Sequence, residues 1–399
     1  MMLGMSQPSK PANATHPTAL VLAAHACMFI FGIILLLMGS LLPTLAVNNV
    51  QAGNLGSFPL AGILVATVVI GPVLDTVGAQ AVLAVALGLI AVSLALLPDC
   101  HRYAELAAVA LAYGLGGGIL NTATNALVAD LRAEGRGAAL NRLGVSFTLG
   151  ALAAPLFMSL ASRPGGATLA GSTHFPALGQ ATILRLLAAA TAVILIPVVG
   201  LRFPAPTRSG SRLTDLLGVL KEPMVWAFGL LLFFESGNEN CLFVWTGKMA
   251  AGLFKLSARD AALTLGGLTA AMGIGRLSAS QYLRFLGSRK TLLLSATVVA
   301  AGAAITYTAK DIGTALVGVM AMGLGMSAIF PTGLGVAGDR FPGQTGTVFG
   351  AVMTLALIGG TSGPALGGWL AVHGLADVLW IPMVSAVAIA TLTLVVTRR

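Results

Sequence analysis

Apolar runs of about 20 residues, the length an α-helix needs to cross about 30 Å of hydrocarbon, follow one another along the whole chain. Lipid offers no hydrogen bonds, so each such run must satisfy its own backbone by coiling into a helix. Marking the apolar runs and the polar or Pro/Gly breaks between them predicts twelve spans, near 18–45, 54–75, 80–98, 104–130, 138–161, 179–201, 224–247, 259–282, 289–309, 311–335, 343–371 and 376–397. Charged residues fill 9% of the 399 positions, against roughly 25% in a soluble domain, which leaves no room for a sizeable soluble domain. The fifty glycines and eighteen prolines therefore read as packing rather than loops, because small residues let membrane helices approach closely. The expected class is an all-α integral membrane protein, placed in a plasma membrane such as the bacterial inner membrane.

One long polar insertion, "LRFPAPTRSGSRLTDLLGVLKEP" at 201–223, divides the spans six and six. The expected organisation is a tail at 1–17, a six-helix half at 18–201, a linker at 202–223 and a second half at 224–397. With both termini in the cytoplasm, fourteen basic residues fall inside, six fall outside, and Arg185 and Arg276 fall within spans; the excess of Lys and Arg on one side sets that orientation. The net charge of +9 is scattered singly between apolar segments, without the basic patch a nucleic-acid partner needs. Cys27, Cys100 and Cys241 are widely spaced, which supports neither a disulfide framework nor a metal site. The first 17 residues carry only Lys10 and precede an apolar run too long for a cleaved signal.

Shifting the chain by 209 residues superposes Gly78 on Gly287, "GLG" at 114–116 on "GLG" at 323–325, Asp130 on Asp339, Gly150 on Gly359 and Pro155 on Pro364. One offset serving five places predicts an internal repeat. Six spans repeated in one orientation give two halves related by an axis along the membrane normal.

"GPVLDTVGAQAVL" at 71–83 has Gly71, Asp75 and Gly78 where a G-x-L-x-D-R-x-G-R-[RK] loop has its Gly, Asp and second Gly, but Thr76, Ala79 and Gln80 replace the bases. The C-terminal counterpart, 275–293, keeps Arg284, Gly287, Arg289 and Lys290 without the acid. "IFPTGLGVAGDRF" at 329–341 and "MTLALIGGTSGPALGGWLA" at 353–371 complete the pattern. In these features the chain resembles the major facilitator superfamily, and within it the fucose permease-like (fucose:proton symporter) branch. The resemblance implies twelve transmembrane helices in two rocking halves, alternating access, no cofactor, a monomer, and a site at mid-depth whose most expected ligand is a sugar. Fucose-type symporters carry acids within their first and fourth spans. Here span one has none, and span four has Asn121 and Asn125 between Glu105 and Asp130 at its ends. The coupling ion thus stays open between proton, sodium and none.

Span seven contains "FFESGNENCLFVW", with Glu235 near the bilayer centre and Glu239 about 6 Å further along at 1.5 Å per residue. Glu235, Asn238 and Glu239 are spaced i, i+3, i+4 and share one helical face. A charge at the centre of lipid is unfavourable by at least about 2.5–3.5 kcal/mol, so that face must line a hydrated cavity, meet a base or carry protons. Either the pair binds substrate or a coupling proton, or one glutamate is a structural partner of Arg276 or Arg185. Asn121 and Asn125 also share a face, and an amide's donors and acceptor suit adjacent hydroxyls; the same groups glue helices. Asn141 reads first as helix glue, against substrate contact, and His25 first as a neutral packing histidine, against a proton relay. Trp245 either stacks on a sugar face or belongs to the interfacial belt.

Asp75, Asp130 and Asp339 fall at cytoplasmic ends of spans, where gating is expected. Arg276 is placed in that network with Asp339 or Glu235 as partner, and Arg284 beside it. His101, His174 and His373 show no metal-ligand spacing, and no metal site is expected. "GLGGG" at 114–118 lacks the following Lys-Ser/Thr of a phosphate loop, so ATP is not the energy source, and no catalytic triad stands out. The leading expectation is a secondary transporter for a small polar solute, a monosaccharide first. The alternative is a proton-coupled exporter of drugs or amphiphilic metabolites. A nontransporting receptor would need an appended domain that the sequence does not show.

Overall fold

The computed structural model describes residues 17–131, 136–161, 168–169, 173–174, 179–204, 218–341 and 345–398, with backbone alone for 75, 136–138, 141, 168–169, 173–174, 280, 282 and 345–346. Twelve α-helices occur among them: α1 (Pro17–Leu41), α2 (Asn49–Val77), α3 (Ala79–Leu96), α4 (Tyr103–Leu131), α5 (Arg136–Ala161), α6 (Gln180–Gly200), α7 (Pro223–Phe254), α8 (Ala258–Thr308), α9 (Ile312–Met326), α10 (Ile329–Arg340), α11 (Thr345–Leu370) and α12 (Trp380–Val396). A two-residue antiparallel strand pair, Thr168–Leu169 with Thr173–His174, lies between α5 and α6.

Helices and spans do not correspond one to one. α8 holds spans eight and nine as two limbs, 258–286 and 288–308, joined at Gly287, whose φ of 72° is open to a residue without Cβ. Span ten is instead divided between α9 and α10. Pro331 explains that break: its ring displaces the carbonyl four residues back, at Ser327, and removes one helical hydrogen bond. The Ser327 hydroxyl then donates to Leu324 O at 2.6 Å. Among the described residues, ten segments are long and apolar enough to cross a membrane. Span seven, with its acids, and the stretch 258–282 of α8, with Arg276, are not among the ten.

The repeat is visible residue by residue. Gly78 and Gly287 are the described glycines with positive φ, 89° and 72°. Gly116 lies against Ala86 and Ile90, while Gly325 lies against Ser295 and Val299; Gly114 faces Pro59 as Gly323 faces Leu268. Each of these pairs is displaced by 209 residues. The helix starts repeat too. Asn48 accepts from the Gln51 N–H at 2.8 Å to cap α2, and Ser257 accepts from the Asp260 N–H at 3.2 Å to cap α8. Such caps satisfy backbone donors that the first turn leaves open. α1 and α5 meet through Gly150 and the Phe29 backbone, and α7 and α11 meet through Gly359 and the Phe233 backbone.

The halves touch at the end that carries the α1–α2 and α7–α8 turns, termed the seam end. Gly39 lies against the Phe243 backbone, Gly53 against Pro364 and Gly368, and Gly56 against Val244. A side chain at any of these glycines would push the halves apart. Two hydrogen bonds join them at the same end: Asn49 Nδ2 donates to Ala371 O at 2.7 Å and Lys248 Nζ to Val47 O at 3.1 Å. Lys248, just beyond the expected end of span seven at 247, thus belongs to α7 and to the seam. Further along, a Cβ on Gly273 of α8 would stand 3.2 Å from the Thr148 methyl of α5. The opposite end carries the end of α6 and the start of α7, between which the 202–223 linker falls in sequence, and is termed the linker end.

Candidate functional site

Gly237 fixes which way span seven presents its acids. It lies against Gly359 and Gly363 of α11, backbone to backbone. That contact pins one side of α7 and turns the Glu235–Glu239 side away from α11. Asn240, on the flank, donates to Ser236 O at 2.9 Å and is occupied in packing.

On the opposite side, Arg276 Nη2 donates to Glu239 Oε1 at 3.1 Å. The pair sits at the edge of the inter-half contact: Glu239 lies one turn from Phe243, which touches Gly39, and Arg276 one turn from Gly273, which faces Thr148. In both helices that turn leads toward the linker end. The Arg276 side chain is 31% exposed and that of Glu239 12% exposed. The exposed apolar side chains of the same limb, Ile274 and Leu277, lie on other sides of the helix, about 160° and about 100° from Arg276.

Glu235 and Asn238 differ from this pair. Both are 0% exposed, and neither carboxyl oxygen nor either amide atom has a hydrogen-bond partner among the described residues. A polar group enclosed without a partner is disfavoured by about 1–3 kcal/mol. Two on adjoining turns of one helix mark a place where the fold tolerates an unmet need. Of the outcomes open to that face, a hydrated cavity, a base or protons, Glu239 meets a base, while Glu235 and Asn238 are enclosed beside it. The cause is rotation, since four residues along a helix turn a side chain by about 40°.

Arg276 pairs with one glutamate of span seven, as one of the two readings of that face has it, and that glutamate is Glu239; the gate pairing with Asp339 or Glu235 is corrected. Counted from the α7–α8 turn it stands level with both glutamates, and the 40° between them decides for Glu239. Arg185 is no partner of either: its Nη2 bonds the exposed Asp99 at 2.8 Å. Trp245 is 0% exposed and its indole donates to Pro364 O at 3.0 Å, so it is neither belt residue nor stacking platform here but a peg between α7 and α11.

On α4, Asn125 Nδ2 donates to Asn121 O at 2.7 Å and to Asn121 Oδ1 at 3.0 Å. The two amides form one half-buried polar step in the N-terminal half. His25 Nδ1 meets Ser146 Oγ at 2.8 Å, which ties α1 to α5. Asp130 and Asp339 stand exposed at the linker-end tips of α4 and α10, and the exposed Arg284 guanidinium lies 5.3 Å from the centre of the Phe285 ring. The side chains of Asp75 and Asn141 lie outside the described residues. Lys248 and Asn49, which bridge the halves, were missed; an intramembrane lysine one turn beyond Trp245 was the available signal for the first.

The model of the Major Facilitator Superfamily matches residues 20–304 and 230–399. An uncharacterised MFS-type transporter of Yersinia pestis is 24% identical over 321 residues, covering 80% of this chain and 77% of that protein. Three solved structures share the fold. A point mutant of the nucleoside transporter NupG superposes with a TM-score of 0.76 at 14% identity, over 95% of this chain and 98% of that one. A D-xylose-proton symporter gives 0.75 at 14% identity over 95% and 97%, and a point mutant of the Escherichia coli fucose:proton symporter gives 0.65 at 17% over 96% and 100%.

Proposed function

The chain belongs to the Major Facilitator Superfamily and is therefore a membrane transporter rather than an enzyme, and on that premise we propose that it carries a small polar solute, a monosaccharide, by alternating access. The observation that carries this reading is the Glu239–Arg276 pair at the edge of the seam, where a solute entering between the halves meets charge and hydrogen-bonding capacity at mid-span. The Asn121–Asn125 step supplies amides from the other half. Asparagines rather than aromatic walls suit a hydroxyl-rich ligand, and the likeness to sugar symporters, fucose-type sequence features included, supports the same class. With both termini cytoplasmic, as the distribution of basic residues favours, the seam closes the outer end and the linker end opens inward. Asp75, Asp130, Asp339 and Arg284 then belong to the parted inner gate. Glu239, beside Arg276, and Glu235, enclosed without a hydrogen-bond partner among the described residues, are the two carboxyls proposed to hold a proton that couples transport to the proton gradient.

The test is uptake of labelled hexoses and deoxyhexoses into proteoliposomes with an imposed pH gradient. Uptake that follows the gradient and is lost in Glu239→Gln supports the reading. No uptake of any sugar, with efflux of lipophilic cations instead, would replace it with the amphiphile exporter. One feature favours that second reading: an apolar cleft of about 280 Å³ between α7, α11 and α12, walled by Phe233, Phe234, Leu366, Trp380 and Val384.

A further inference from the structure

Taking the α7–α8 polar face as the substrate site, as proposed above, the arginine raises a question that a neutral sugar does not answer. Carboxylates and amides suffice to hold hydroxyls. A guanidinium within a span is disfavoured by about 2.5–3.5 kcal/mol, and the scaffold does not need one there. The repeat supplies the control: position 276 corresponds to Thr67 in the first half, where the same α2–α4 packing is built around Pro59 and Gly114 without any charge.

The engagement of Arg276 is also incomplete. A guanidinium carries five N–H donors in a planar fork that fits a carboxylate two bonds at a time. Glu239 takes one, through Nη2 at 3.1 Å, longer than the 2.7–2.9 Å typical of a strong charge-assisted bond. The side chain is the more exposed member of the pair. We propose that Arg276 is the docking point for a carboxylate on a polyhydroxylated substrate, a sugar acid, and that Glu239 is its resident counter-ion, displaced when the substrate arrives.

The surrounding charges make the exchange self-consistent. The charged or titratable groups facing Glu239 are Arg276 on α8 and Glu235 one turn away on its own helix. α11 and α12 carry no charged residue, and α1 contributes only His25, which is held by Ser146, and the buried thiol of Cys27. Asp339 and Arg340 lie at the far tip of α10. Once the substrate carboxylate takes the guanidinium, Glu239 has no second cation to pair with among the described residues. Its carboxylate then accepts one proton from water in the opening and becomes a neutral carboxyl. One anion and one proton enter together, and the charge of the site is unchanged. The Asn121–Asn125 step would receive hydroxyls at the other end of the molecule.

The test uses full-length protein in lipid nanodiscs and three probes: glucuronate, its methyl ester and glucose. The expected result is that glucuronate binds at least about tenfold tighter than the other two, with about one proton taken up per molecule bound when calorimetry is repeated in buffers of different ionisation enthalpy. Arg276→Gln should abolish that preference, so that whatever binding remains no longer distinguishes glucuronate from its ester and glucose. Because this variant strands Glu239 and can fail to fold, the double variant Arg276→Gln/Glu239→Gln serves as a charge-balanced substitute. The wild-type comparison needs no variant at all. Equal affinity for the three probes, or binding of none, overturns the assignment. Glucose bound with glucuronate excluded sinks the carboxylate while sparing the sugar reading. Capture of a lipophilic cation such as tetraphenylphosphonium, with neither sugar nor sugar acid, sinks both.

Discussion

The two halves share a scaffold and differ in chemistry. Caps, glycine contacts and interhelical turns recur at a displacement of 209 residues, yet the first half has no acid or base in α1 beyond His25 where the second has Glu235, Glu239 and Lys248 in α7. Matching helices by the contacts of Phe29 and Phe233 places Phe31 and Leu35 opposite the two glutamates, and Thr67 stands where Arg276 does. A duplicated fold thus lets one half act as an apolar wall with two amides while the other concentrates the charge. The comparison separates what the architecture requires from what the task requires: whatever appears in both halves is scaffold, and whatever appears in one is a candidate for function.

The largest effect should come from attacking that asymmetry. Glu239→Gln or Arg276→Gln is expected to lower proteoliposome transport by at least about tenfold and to destabilise by roughly 3–5 kcal/mol, because the remaining charge loses its partner. Thr67→Val, at the matching place in the first half, should change either measure by less than about 1 kcal/mol. Comparable losses from both positions would erase the distinction. Next come the shared glycines: Gly116→Val and Gly325→Val should each destabilise by about 1–3 kcal/mol through overpacking, read as matched drops in thermal unfolding in detergent. A drop in one half alone would contradict the residue-by-residue repeat. At the seam, Asn49→Ala removes one neutral bond, about 1 kcal/mol, and should shift the equilibrium toward the seam-open state about fivefold. Spin labels on the exposed Val50 and Val372 would report it as a longer distance population. Smallest are the caps, where Asn48→Ala and Ser257→Ala should each lose about 1 kcal/mol; unequal losses would show that the two helix starts are not equivalent.

The spans, their division into halves and the 209-residue displacement were legible because they are written in composition and spacing. The break in span ten was legible too, in Pro331, but was not used. What the chain could not declare is rotation and approach. Glu235 and Glu239 stand about 40° apart on one helix and level with Arg276, and Gly237 is two residues from each, so only the packed position of α8 against α7 decides which of them meets the guanidinium. Trp245 reads alike as a belt residue or a stacking ring until Pro364 is placed beside its indole. The seam depends on residues such as Gly39 and Phe243 that belong to different halves, and the repeat carries no information about which end is shut.

That seam has a mechanical consequence. Contact between bare backbones is held by dispersion, and an added gap of about 0.5–1 Å forfeits a quarter to a half of each attraction. Such a joint lets go abruptly instead of stretching, so partly parted arrangements have little to hold them. The molecule is thereby biased toward being shut or apart at that end, and a cargo of modest affinity has only to tip a balance between two resting positions.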